Sequence, residues 1–143
     1  MGLLRLAQET PEVSPEASVM QAVMTMKARK VGAIAVTDAG KIVGVFTERD
    51  LMRRVVHERK DPDTTLIRDV MTSPVRTVLD SASVAEAAML MRTHKFRHLA
   101  IVDDNGALLG MVALRYLLYD IMDDLERKVD GLQSFIMADG PGG

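Results

Sequence analysis

Apolar positions run along this chain in two rhythms, and each rhythm occurs twice. Val19, Ala22, Val23 and Met26 recur at helical spacing between Ser18 and about Lys30, with Ser18 placed as an N-cap. The same spacing returns in Val84, Ala87, Ala88 and Met91 behind Ser83, where Ser83 and Glu86 spell a capping box. A short apolar β run follows each helix, at 33–36 and 99–102. Asp38-Ala39-Gly40 and Asp104-Asn105-Gly106 then read as tight turns, because Gly and Asn tolerate positive φ. Second β runs at 42–46 and 108–112 complete two hairpins. A further helix starts near Thr47 and again near Ala113, and a short extended segment precedes each first helix, near Val13 and at 75–78. The last helix is expected from Leu114 to about Val129, with Leu117, Leu118, Ile121, Met122, Leu125 and Val129 on one apolar face.

The chain is therefore written twice. Ala17-Ser18-Val19 recurs as Ala82-Ser83-Val84, and Ala22, Met24 and Met26 recur as Ala87, Met89 and Met91, at an offset of 65. From Gly32, aligned with His98, the offset reads 66 through Asp38 and Asp104, Gly40 and Gly106, and Gly44 and Gly110. The expected fold is α+β, in α/β layers, each copy running strand-helix-strand-strand-helix. The copies are placed at 6–65 and 66–130, joined by the charged, Pro62-containing stretch 57–65. Residues 131–143 form a tail expected to be partly disordered, from Ala138 onward above all. A unit of about 65 residues is marginal alone, so the two are expected to pack as a pseudo-twofold pair around a shared core.

Composition narrows the function. The chain has 143 residues, 48% apolar and 27% charged, enough to bury a core and too apolar to be disordered. Eighteen Lys and Arg against twenty Asp and Glu argue against a nucleic-acid binder. Charges interrupt every apolar run, which excludes a membrane span. Without cysteine there are no disulfides or thiolate metal sites. Together with the lack of a signal-peptide pattern, this sets a cytoplasmic expectation. His57, His94 and His98 lack metal-ligand spacing. Asp120, Asp123, Asp124 and Glu126 read as a solvated helix face. No nucleophile–base set or phosphate-binding Gly-rich loop is present, so no enzyme is expected.

Thr47 and Asp50 are the sharpest pair. Three residues apart at a strand-to-helix junction, they lie on one helix face beside open N–H groups. The residues alone leave two readings open: an N-cap with a first-turn acid, or a carboxylate that accepts from a ligand.

Four motifs, in order and in two copies, carry a resemblance. They are Val31-Gly32-Ala33-Ile34-Ala35-Val36-Thr37-Asp38, Gly44-Val45-Phe46-Thr47-Glu48-Arg49-Asp50-Leu51, Asp69-Val70-Met71-Thr72-Ser73-Pro74 and Lys95-Phe96-Arg97-His98-Leu99. Over about residues 6 to 120 the chain resembles a stand-alone pair of cystathionine-β-synthase-type (CBS) domains, a Bateman module. The resemblance implies a regulatory module that binds an adenine nucleotide between the copies. AMP, ADP or ATP are expected ahead of S-adenosylmethionine or NADH. It also implies a homodimer and an unidentified protein partner. It gives Asp50 the two ribose hydroxyls beside Thr47, and turns Arg97 and His98 toward the phosphates, with Gly32 leaving room and Arg76 leaning over the cleft. Ala113 and Tyr116 stand where Thr47 and Asp50 stand, so one good nucleotide site per chain is expected. The alternative is a ligand-independent interaction or dimerisation module acting through the last helix.

Overall fold

The computed structural model describes residues 2–138. Each half builds one three-stranded sheet on the same plan. In the first, β1 (Glu12–Val13) pairs parallel to β2 (Ala33–Asp38) across the crossover helix α1 (Val19–Arg29), and β2 pairs antiparallel with β3 (Lys41–Thr47). In the second, β4 (Thr77–Leu79), α4 (Val84–His94), β5 (His98–Val102) and β6 (Leu108–Ala113) repeat that order. After β3 the chain enters α2 (Glu48–Asp50) and passes directly into a π-helical stretch, Leu51–Val56. After β6 it enters α5 (Leu114–Ala138). The repeated layers follow the apolar periodicity. Of the expected tail at 131–143, residues 131–138 instead continue α5 as helix, and residues 139–143 lie outside the described residues.

The helix starts follow from their caps. Ser18 accepts from Gln21 N at 3.1 Å while the Gln21 side chain accepts from Ser18 N at 2.9 Å, a complete capping box. Ser83 accepts from Glu86 N at 3.0 Å, but only this half of the expected box forms. Glu86 is exposed to water, which competes for its carboxylate.

The structure corrects the repeat register. α1 and α4 both end on a lysine in the left-handed conformation, Lys30 (φ 56°) and Lys95 (φ 59°), still 65 apart. The offset stays 65 along β2 and β5, since Ala33 faces Thr47 as His98 faces Ala113. The extra residue enters at the hairpin turn, where the Asp103 carboxylate caps Asn105 N and Ala107 N at 2.8 and 2.9 Å. A surface turn absorbs an insertion without breaking a ladder. Gly32 is thus the counterpart of Arg97, and Ala33 that of His98.

Two short helical turns escaped the periodicity. Leu3–Leu6 forms a 3-10 turn, and α3 (Ile67–Val70) follows the linker. They begin two equivalent arms, each docked on the opposite half. Gln8 bridges Met111 of β6, and Thr72 bridges Val45 of β3. Ile67 and Val70 lie in the first core with Val19, Ala22, Ile34 and Phe46. Leu3 lies in the second with Met91, Leu99, Ile101 and Leu117. Hydrophobic packing therefore crosses the boundary expected near residue 65. A third cluster, Ala33, Ala35, Val45 and Met111, joins the halves.

The repeated glycines let the arms approach. A Cβ on Gly110 would stand 3.1 Å from the Ala7 Cβ, and one on Gly44 would overlap the Met71 side chain. Leu3→Ala and Ile67→Ala are each expected to destabilise the chain by about 2–5 kcal/mol in urea unfolding followed by circular dichroism. Leu4→Ala, on the exposed side of the first arm, should stay within about 0.5 kcal/mol.

Candidate functional site

The strand-to-helix junction of the first half brings Thr47 and Asp50 together. Thr47 is extended and accepts from Asp50 N at 3.2 Å, while Asp50 Oδ2 accepts from Thr47 N at 3.0 Å. Asp50 is 6% exposed, the one buried charged side chain among the described residues. Burying a carboxylate is costly unless its oxygens are partnered. Thr72, from the arm, donates its hydroxyl to Oδ1 at 3.0 Å and lies 3.2 Å from Oδ2. Arg54 Nε stands 3.8 Å from Oδ1, and the same guanidinium donates to Met71 O at 2.6 Å. The capping function is thus realised in full. The partner arriving from outside the helix is an exposed threonine.

The second half fills the equivalent places differently. Ala113 replaces Thr47, Tyr116 replaces Asp50, and Gln8 on the first arm replaces Thr72. Gln8, and after it Arg115, hydrogen-bond the Tyr116 phenol and hold it below the usual tyrosine value. The Arg115 guanidinium also lies 5.1 Å from the ring centre. Tyr116 lines a cleft of about 180 Å³ with Gln8, Lys30, Gly32 and His98. Its ring borders this space without closing it.

Three of the sequence-predicted residues share one depression. Gly32, Arg97 and His98 line it with Glu48 and Arg115. Glu48 N donates to Gly32 O at 3.0 Å, which fixes the start of α2 against the residue that leads into β2. A Cβ on Gly32 would stand 3.4 Å from the Glu48 carboxyl carbon, so that side chain lies over the glycine. Burial first, then Arg115 and Arg97, push the His98 imidazole below its ordinary value. It is therefore neutral near pH 7, between two permanent cations.

Arg76 is not brought to this depression. It lies 5.9 Å from the Phe96 ring centre and 3.4 Å from His94 Nδ1, where His94 and Phe96 stack at 5.5 Å. Sequence reasoning missed Arg115, Lys30, Thr72 and Gln8. The first two had a signal: Arg115 precedes Tyr116, and Lys30 closes α1. Thr72 and Gln8 matter only through arm exchange, which no local pattern announces. Among the described residues no three His, Asp or Glu side chains converge to hold a metal ion, and no helix is long and apolar enough to cross a membrane.

Comparison with known proteins bears on the whole arrangement. Residues 8–57 and 67–123 each match the family described as CBS domain. The CBS domain-containing protein YhcV of Bacillus subtilis is 34% identical over 109 residues, covering 76% of this chain and 76% of that protein. Protein MK0525 of Methanopyrus kandleri is 38% identical over 106 residues, 73% of this chain but 54% of that protein, so the chain spans about half its length. Among solved structures, the CBS domain protein PAE2072 from Pyrobaculum aerophilum, complexed with AMP, superposes with a TM-score of 0.73 at 30% identity. That match covers 81% of this chain and 89% of the other.

A proton NMR titration is expected to place His98 below 6.5, and Arg115→Gln to raise it part of the way back. Because the folded form resists that proton, folding stability should fall as pH drops from about 6.5 through the depressed value. A His98 value above 6.5 would contradict the described surroundings.

Proposed function

The chain belongs to the CBS-domain family, and from that membership we propose that it is a regulatory module sensing an adenine nucleotide between its two repeats. The observation that carries the reading is Asp50. Its buried carboxylate is partnered from outside its helix by one exposed hydroxyl, that of Thr72. A ribose offers two vicinal hydroxyls, and both can donate to the same pair of carboxylate oxygens. Ribose binding in this reading exchanges Thr72 for ligand without leaving the carboxylate unpaired, while Thr47 keeps the helix capped. The similar PAE2072 is complexed with AMP, which supports this ligand class.

Phosphates then extend toward Arg97, His98 and Arg115. An arginine fork suits two phosphate oxygens, and an arriving phosphate raises the affinity of His98 for a proton. Glu48 must swing off Gly32 to admit negative charge, because its carboxylate would repel the phosphates. The half that carries Ala113 and Tyr116 lacks a carboxylate for a diol, so one nucleotide is held per chain. The output is a change in how the repeats are held together, read by a protein partner. It operates through the ligand's different affinity for the two arrangements. Catalysis has no part in this reading, and the absence of cysteine suits a reducing, cytoplasmic setting.

Isothermal calorimetry with AMP, ADP, ATP, S-adenosylmethionine and NADH checks the reading. At least one of the first three should bind below millimolar concentration. No binding by any of the five at millimolar ligand sinks the proposal. Asp50→Asn, which preserves shape, should weaken binding about 10- to 100-fold, the usual worth of charge-assisted hydrogen bonds. Thr72→Val should leave binding intact or tighten it, since it removes the competitor. Unchanged affinity in Asp50→Asn would move the site elsewhere.

A further inference from the structure

Among the described residues Glu48 is the one acid lining the Gly32–Arg97–His98–Arg115 depression, and the junction that holds it does not need an acid. Glu48 N donates to Gly32 O at 3.0 Å, and in the second half Leu114 N donates to Arg97 O at 2.8 Å. The two junctions are built alike, so leucine starts the following helix as glutamate does. Glu48 is exposed and belongs to none of the ion pairs among the described residues. Its carboxyl carbon and both carboxyl oxygens instead lie 3.4–3.5 Å from where a Gly32 Cβ would stand. The missing side chain at Gly32 leaves that place open. At the equivalent place in the second half stands Arg97, so one backbone junction carries opposite charges in the two halves.

Glu48 also lines a second depression of about 540 Å³, together with Lys27 and Lys30 from the end of α1. Gly32, Glu48 and Arg115 line both depressions. The carboxylate therefore stands at the boundary between two groups of cations, Arg97 and Arg115 on one side, Lys27 and Lys30 on the other. Both lysines are exposed and, like Glu48, belong to no ion pair among the described residues. An exposed side chain changes rotamer within picoseconds to nanoseconds. Negative charge arriving beside Arg97 and Arg115 repels the carboxylate, and the two ammonium groups offer it a place to go. Each further phosphate on a ligand adds to the repulsion. We propose, resting on the nucleotide reading above, that Glu48 is the specificity-determining residue of the site: lying over Gly32 it disfavours each added phosphate, and it admits them only by swinging toward Lys27 and Lys30.

Calorimetry with AMP, ADP and ATP, without divalent cations, tests this. Glu48→Gln should tighten ATP at least about fivefold, ADP less and AMP least, since exposure and salt reduce what a like charge costs. Its urea unfolding midpoint should match the wild type. Glu86→Gln removes an acid from the first turn of α4, which lines neither depression, and should leave all three affinities unchanged. Lys27→Met with Lys30→Met should weaken ATP at least about threefold in the wild-type background and hardly at all beside Glu48→Gln. An equal loss in both backgrounds would mean that the lysines touch phosphate directly, and would overturn the swing. A gain that is absent, equal for the three nucleotides or matched by Glu86→Gln would overturn the proposal. So would loss of ATP binding in Glu48→Gln when magnesium is present, which would make Glu48 a metal ligand. Binding with an unchanged order of preference sinks this inference alone, whereas no nucleotide binding by the wild type sinks it together with the nucleotide reading.

Discussion

Everything in this fold depends on an exchange of arms between two halves that cannot close alone. A unit of about 65 residues buries too small a fraction of its surface to be comfortably stable. Here each half completes its core with residues drawn from beyond its own sheet and helices. Leu3 fills the core under β5 and β6, and Ile67 fills the core under β2 and β3. The arms also lie against the β3 and β6 backbones through Val45–Thr72 and Met111–Gln8. A strand edge so covered is not left open to other chains. The two glycines that permit the crossing, Gly44 and Gly110, recur because the crossing recurs.

The exchange also places chemistry. Asp50 comes from one segment and its Thr72 partner from the arm, so the one buried charge among the described residues ties helix start, arm and sheet together. The same three-way junction in the second half joins Tyr116, Gln8 and β6 with no carboxylate. Side chains have diverged where the backbone has not. The first half offers an acceptor-rich junction and, at Gly32, no side chain. The second offers Arg97, His98 and Arg115. Gly32, Arg97, His98 and Arg115 line one depression, and neither Thr47 nor Asp50 lines it.

Much of this was legible in the sequence. Duplication, hairpins and helix faces follow from strong periodicities, and the four family motifs lie where the family match lies. The Thr47–Asp50 junction was found because its spacing is local. The arms were not found, because Leu3 with Leu6 and Ile67 with Val70 are single apolar pairs too short to show a period. The register slipped for a related reason. Asp103 and Asp104 are adjacent, so Asp38 could be matched to either, and the left-handed lysines that end α1 and α4, with the strand pairing that follows them, decide between them. Arg76 stands apart from the Gly32–Arg97–His98 depression, because proximity in sequence to a strand start says nothing of which way the strand faces. Its guanidinium lies toward Phe96 and His94 instead.

The arm exchange has a consequence for how the protein is made. The first arm is synthesised well before β6, the strand on which it docks. The nascent first half must likewise wait for residues 67–72 to emerge before its own core can close. The first half therefore cannot complete its core as an independent unit of the kind common in multidomain chains before the start of the second half has been made. The core that receives Leu3 is complete only once Val112 and Leu117 have been made.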